Sequence, residues 1–208
     1  MKTTQILPED YRLLKKLDLI KDKKLFIYLN LIGIGLFVAC WLLLDWLVLL
    51  LRPDIGVAES RFVLTIDQGG SILAVLLTFL LVFFTMVIFH EAIHGLFFWW
   101  FTRGKVKFAF KGAYAYAAAP DWYLPKRPYM IVSLAPLVLM TLMGVAAMLV
   151  VPLGWISPIM LVVALNAAGA IGDIYVFFLL LRMPEDVLVQ DFGEKMEIYS
   201  LEDGKSTS

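Results

Sequence analysis

At 208 residues, with 61% hydrophobic side chains and a mean hydropathy of +0.83, the chain is long enough for one domain and too apolar for that domain's solvent to be water. Lysine plus arginine equal aspartate plus glutamate at 18 each, so net charge gives no attraction to nucleic acid, and none is expected as a partner. Cys40 is the single cysteine, which excludes an intrachain disulfide and a cysteine-rich metal cage.

Residues 1–24 hold seven basic side chains, and no short apolar run ending in a small-residue cleavage site follows. They read as a charged cytoplasmic segment leading into a membrane anchor, not as a removable signal peptide. Four apolar stretches, roughly 25–51, 71–101, 129–151 and 155–181, are each long enough to cross about 30 Å of hydrocarbon as a helix. An even number of spans puts both termini on one side. Sixteen of the eighteen basic residues then fall on that side, which the positive-inside rule makes cytoplasmic. Trp41, Trp46, Trp99, Trp100, Trp122 and Trp155 fall near the expected interfaces or in the flanking loop, as an aromatic belt requires. The four-residue link Pro152-Leu-Gly-Trp155 makes the last two spans antiparallel neighbours.

After the second span, 105–118 reads KVKFAF, then Lys111-Gly112, then AYAYAA, two alternating segments around a turn. A weaker copy occurs in the tail, VLVQ before Asp191 and MEIYSL after Glu194, and a polar stretch from Glu202 is expected to be disordered. The expected fold is an all-α polytopic membrane protein of about four transmembrane helices with a cytoplasmic β-hairpin after the second. Its membrane-embedded core is 25–181, and 182–208 is a cytoplasmic tail.

Within the second span the chain reads His90-Glu91-Ala92-Ile93-His94-Gly95, and these are its only two histidines. Residues four apart share one helix face, so both imidazoles can reach one cation with Glu91 beside them to take a proton from water. Two histidines and one carboxylate would leave the fourth position of a Zn2+ ion open to that water and lower its pKa to about 7. Placing His, Glu and His in one membrane turn is expensive unless something pairs with them, and a divalent cation answers that cost better than a chance polar contact between helices.

A third ligand can be chosen by depth. His94 lies nine residues before Arg103, and Asp173 lies nine before Arg182, so each sits about 13 Å of helical rise from the same face. Asp45, between Trp41 and Trp46, reads as a solvated interfacial carboxylate, and Asp54, Glu59 and Asp67 belong to the outer loop on the wrong side. Asp121, Glu185 and Asp186 are alternatives if a cytoplasmic segment folds back. Around Asp173 the run Asn166-Ala-Ala-Gly169-Ala-Ile-Gly172 is small, which suits close helix approach. Asn166, two turns away on the same face, either binds substrate or makes an interhelical hydrogen bond. Pro136 should kink the third span and free a carbonyl.

With HEAIHG on one membrane helix and NAAGAIGD on a later one, the chain resembles a zincin-peptidase family of small bacterial membrane proteins catalogued as a domain of unknown function, over roughly 71–181. In site design it is similar to the site-2 proteases, intramembrane zinc proteases with HExxH on one helix and an Asp-Gly ligand motif on another. That resemblance implies zinc at His90, His94 and Asp173, with Glu91 as catalytic base and a membrane protein or peptide as substrate. Here the order is Gly172-Asp173-Ile174 rather than Asp-Gly, and the asparagine motif lacks the family's proline. A transmembrane helix must unwind before it can be cut, and a strand edge beside the zinc offers its main chain replacement partners. The hairpin, through Phe108, Phe110, Tyr114 and Tyr116, is the expected substrate-binding element, the alternative being a re-entrant or surface hairpin that only plugs the membrane boundary.

The competing readings are a metal transporter or sensor and a protease-like scaffold without activity. Conduction needs coordinating sites in series, whereas this chain offers one cluster. Glu91 argues against the scaffold, because zinc binding alone does not need that carboxylate.

Overall fold

The computed structural model describes residues 2–19, 21–53, 72–112 and 114–201. The outer-loop acids Asp54, Glu59 and Asp67, with Arg61, and the polar stretch from Glu202 lie outside them. The helices are α1 (Lys23–Leu51), α2 (Ile72–Thr102), α3 (Lys126–Met148), α4 (Ile156–Gly169) and α5 (Ile171–Leu181), and the strands are β1 (Tyr11–Leu17), β2 (Lys107–Phe110), β3 (Ala115–Ala118), β4 (Tyr123–Pro125), β5 (Leu188–Asp191) and β6 (Met196–Leu201). Three helices, α1, α2 and α3, are long and apolar enough to cross a membrane, and a fourth crossing is available if the bent pair α4–α5 counts as one span. At 31 residues α2 is about 46 Å long, more than the hydrocarbon thickness. Only 6% of its most apolar stretch is buried by the protein itself, so a large apolar surface stays uncovered by the described residues.

The chain forms two compact units. One comprises 1–29, 91–136 and 171–208. Its sheet runs β1-β6-β5-β4, antiparallel throughout. β6 buries Met196 and Ile198 at the two-residue spacing of a strand with one covered face, and β5 buries Leu188 and Val189. They pack with Leu17, Phe98, Leu124, Tyr129, Val132, Val176 and Leu180 in one core. Pro125, which has no N–H for a ladder, closes β4 at the sheet's edge, and α3 starts at the next residue. Gly193, at φ +86°, turns β5 into β6 while its N–H donates to Asp191 Oδ1 at 2.7 Å. This sheet corrects the expectation of an all-α protein with one hairpin. YRLLKKL in β1 lacks two-residue alternation and finds its partner at the far end of the chain, so local pattern does not reveal it.

The hairpin of β2 and β3 pairs Phe108 with Ala117 and Phe110 with Ala115, and turns through Gly112 at φ +77°. α2 ends where Arg103 enters the left-handed region at φ 52°, with its guanidinium over the Trp99 ring.

The other unit comprises 30–90 and 137–170. Leu44 and Val48 of α1 pack with Met148, Ile156, Met160 and Val163. A Cβ at Gly144 would collide with Val163 Cγ2, so glycine sets how closely α3 and α4 approach. One carboxylate oxygen of Asp45 is buried without a hydrogen-bond partner among the described residues, in place of the solvated carboxylate expected.

The stretch 155–181, expected as one span, breaks at Ala170, which has ψ 4° and separates α4 from α5. Flanking Gly169 and Gly172 make that break cheap, since glycine disfavours helix by about 1 kcal/mol. The consequence is that Asp173 falls in the first turn of α5, where the helix dipole favours a carboxylate.

Candidate metal centre

Helical spacing on α2 puts His90 and His94 one turn apart, and both are buried, at 9% and 8% exposure. One ligand atom from each of His90, His94 and Asp173 lies within 4.8 Å of the other two, and this is the group among the described residues able to hold a metal ion. His94 Nε2 stands 3.5 Å from Asp173 Oδ2. Two donors bound tetrahedrally to one zinc at about 2.0–2.1 Å would stand about 3.3 Å apart, so the spacing suits that ion.

Tautomers also fit. His90 Nδ1 is 2.9 Å from Asn166 Oδ1, and His94 Nδ1 is 3.1 Å from the carbonyl oxygen of Val132. Donation from each Nδ1–H to an oxygen leaves Nε2 as the nitrogen carrying a lone pair, the arrangement that metal-binding histidines use. Asn166 is fully buried, and its amide oxygen faces His90; of the two roles expected for it, this contact is the interhelical hydrogen bond.

Glu91 Oε2 accepts the N–H of Ala117 in β3 at 2.7 Å, so the hairpin touches the residue beside the two histidines. A Cβ at Gly95 would collide with the Cζ edge of the Phe108 ring, which seats β2 directly on α2. Phe108 and Phe110 are 58% and 61% exposed. Tyr114 and Tyr116 stack on each other, and the Tyr116 ring covers Gly193 in the β5–β6 turn. With an ion pair from Lys111 to Glu194 at 3.5 Å, these contacts tie the hairpin's turn to the sheet.

Of the alternative acids, Glu185 is held by Lys126 and Arg127, at 3.0 and 3.1 Å, and Asp121 is exposed. Neither they nor Asp186 belong to the metal-binding group. The residues missed from sequence are Asp191 and Tyr129. Tyr129 Oη donates to Asp191 Oδ2. Burial pushes the Asp191 carboxyl above the ordinary range against the pull of hydrogen bonds from Tyr129 and Gly193, and it also feels His94 and Asp173. No local pattern marks this pair, which lies 62 residues apart.

The protein is thus apolar and mostly helical, with three or four stretches long and apolar enough to cross a membrane, and it carries His90, His94 and Asp173 in reach of one ion. Residues 83–188, half of the chain, match a family described as "Putative zincin peptidase", and the chain belongs to that family. No curated protein and no solved structure matches it.

Proposed function

We propose that the protein is a zinc-dependent, membrane-embedded metallopeptidase that hydrolyses peptide bonds in or near transmembrane segments. The observation that carries this reading is the convergence of His90, His94 and Asp173 next to a glutamate that sits against a strand. His90, His94 and Asp173 would hold the ion, and zinc there supplies a Lewis acid for the scissile carbonyl and for water. Asn166 and the Val132 carbonyl orient the imidazoles. Glu91 takes the proton of the attacking water and returns it to the leaving amine.

β3 supports the substrate's place in this scheme. Its Ala117 N–H meets Glu91, so an extended segment laid along that side of β3 passes the carboxylate. An unwound stretch of membrane helix gains main-chain partners there that lipid does not offer. Charge distribution supports a bacterial cytoplasmic membrane as the location, with both termini and the hairpin on the cytoplasmic side.

The first test is metal content per chain by mass spectrometry of protein purified in detergent. One zinc per wild-type chain, absent from both His94→Ala and Asp173→Ala, is the expected result. Metal-free wild type in a fresh preparation would overturn the peptidase reading in favour of a scaffold.

A further inference from the structure

Pro136 is buried in the middle of α3, and no step above uses it. In a helix each carbonyl is matched to the N–H four residues on, so residue 136 is the ordinary partner of the Val132 carbonyl. Proline has no N–H to give, and its ring crowds that same carbonyl outward. Val132 is 1% exposed, so bulk water is not available to replace the missing donor. His94 is the donor that meets it, through Nδ1 at 3.1 Å. The bond settles which nitrogen keeps the proton, and it turns Nε2 toward Asp173 Oδ2. His90 gets the same service from the side chain of Asn166. For His94 the acceptor is main chain, and it is available because of a residue one helical turn away that touches neither ion nor substrate.

We propose that Pro136 is a positioning residue for His94: by withholding an N–H from the Val132 carbonyl it creates the acceptor that fixes the tautomer and ring orientation of a metal ligand. The proposal rests on the metal-centre reading and adds to it a backbone element that the ligand motif does not contain. An ordinary residue at 136 would compete with His94 for one oxygen. Partners of this kind are worth about 10–100-fold in metal affinity when lost outright. Competition for a carbonyl with two lone pairs should cost on the order of tenfold.

The test uses the full chain in detergent. It has two histidines, so ¹⁵N-histidine labelling reports two imidazoles, assigned with a His90 variant. In metal-free wild type at alkaline pH, His94 is expected to carry its proton on Nδ1. Pro136→Ala restores the helical N–H; a mixture of His94 tautomers and zinc binding weaker on the order of tenfold are expected. Replacing Pro136 with lactic acid, which differs from alanine only by an ester oxygen in place of N–H, should return both readouts to wild type. Wild-type tautomer and affinity in Pro136→Ala would overturn the proposal. So would a lactic acid variant that behaves like alanine, since ring packing would then be what matters. If Pro136→Ala does not fold, the ester variant decides alone. If wild type takes up no zinc, the metal-centre reading fails, while the tautomer comparison still decides the role of Pro136.

Discussion

Glu91 follows His90 directly, and its carboxylate is held by the Ala117 N–H at 2.7 Å. A residue that serves as proton carrier and not as ligand can be changed without losing the ion. Glu91→Gln is therefore expected to retain zinc while hydrolysis falls by about 10²–10⁴-fold, measured on a candidate membrane substrate that the variant should also trap. Loss of zinc in Glu91→Gln would instead make Glu91 structural to the site. Asn166 acts from behind His90, and its removal leaves a buried Nδ1–H without that acceptor. Asn166→Ala should weaken zinc binding by about 10–100-fold in competition with a chromophoric chelator. Affinity equal to wild type would exclude an orienting role. The HExxH spacing and the suitability of Asp173 by depth are legible in the chain, since both follow from the rise and period of a helix. Asp191 and Tyr129 are not, because only folding brings a strand end to the side of α3.

Two element-level contacts set the hairpin. Gly95 admits the Phe108 ring against α2, one residue after His94. Gly95→Ala should push that ring aside, so zinc content is expected to stay at wild type while turnover of a membrane substrate drops; unchanged turnover would take the hairpin's seating out of the reaction. Gly193 lies at φ +86° beneath Tyr116, and Gly193→Ala should cost about 1–2 kcal/mol from the left-handed backbone alone, read as a lower thermal midpoint. At the start of α3, hydrogen bonds from Lys126 and then Arg127 hold the Glu185 carboxyl below the ordinary range. A lowered folded pKa stabilises above the ordinary carboxylate value and is lost as pH falls through the folded one. Glu185→Gln should thus melt slightly below wild type at neutral pH, the two converging in acid; coincident melts at both would show that this exposed contact contributes nothing measurable. The paired strands of the hairpin carry their own signal in alternation and a glycine turn. The break at Ala170 was hidden, because 155–181 is apolar on both sides of it and composition does not register a helix end.

On the scale of the whole molecule, three long helices leave most of their apolar surface unburied by protein, which is the physical case for lipid around them. If the basic residues orient the chain, reporters fused at either terminus should both be active in the cytoplasm, and a periplasmic reporter should be silent at each; a split result would reverse the odd-versus-even count of spans. The sequence by itself determined the apolar spans and the face of α2 that carries His90, Glu91 and His94, because these depend on composition and on neighbours within one turn. Tertiary structure alone decided that β1 joins β6, that Asp173 opens a new helix 3.5 Å from His94, and that the carbonyl Pro136 leaves open is the one His94 takes. Those are pairings between residues far apart in the chain, from His94 with Val132 to Tyr11 with Leu201. A one-dimensional pattern encodes the periodicity of each partner, but which two partners meet is set by packing, where burial makes each unmatched donor or acceptor costly enough to select its mate.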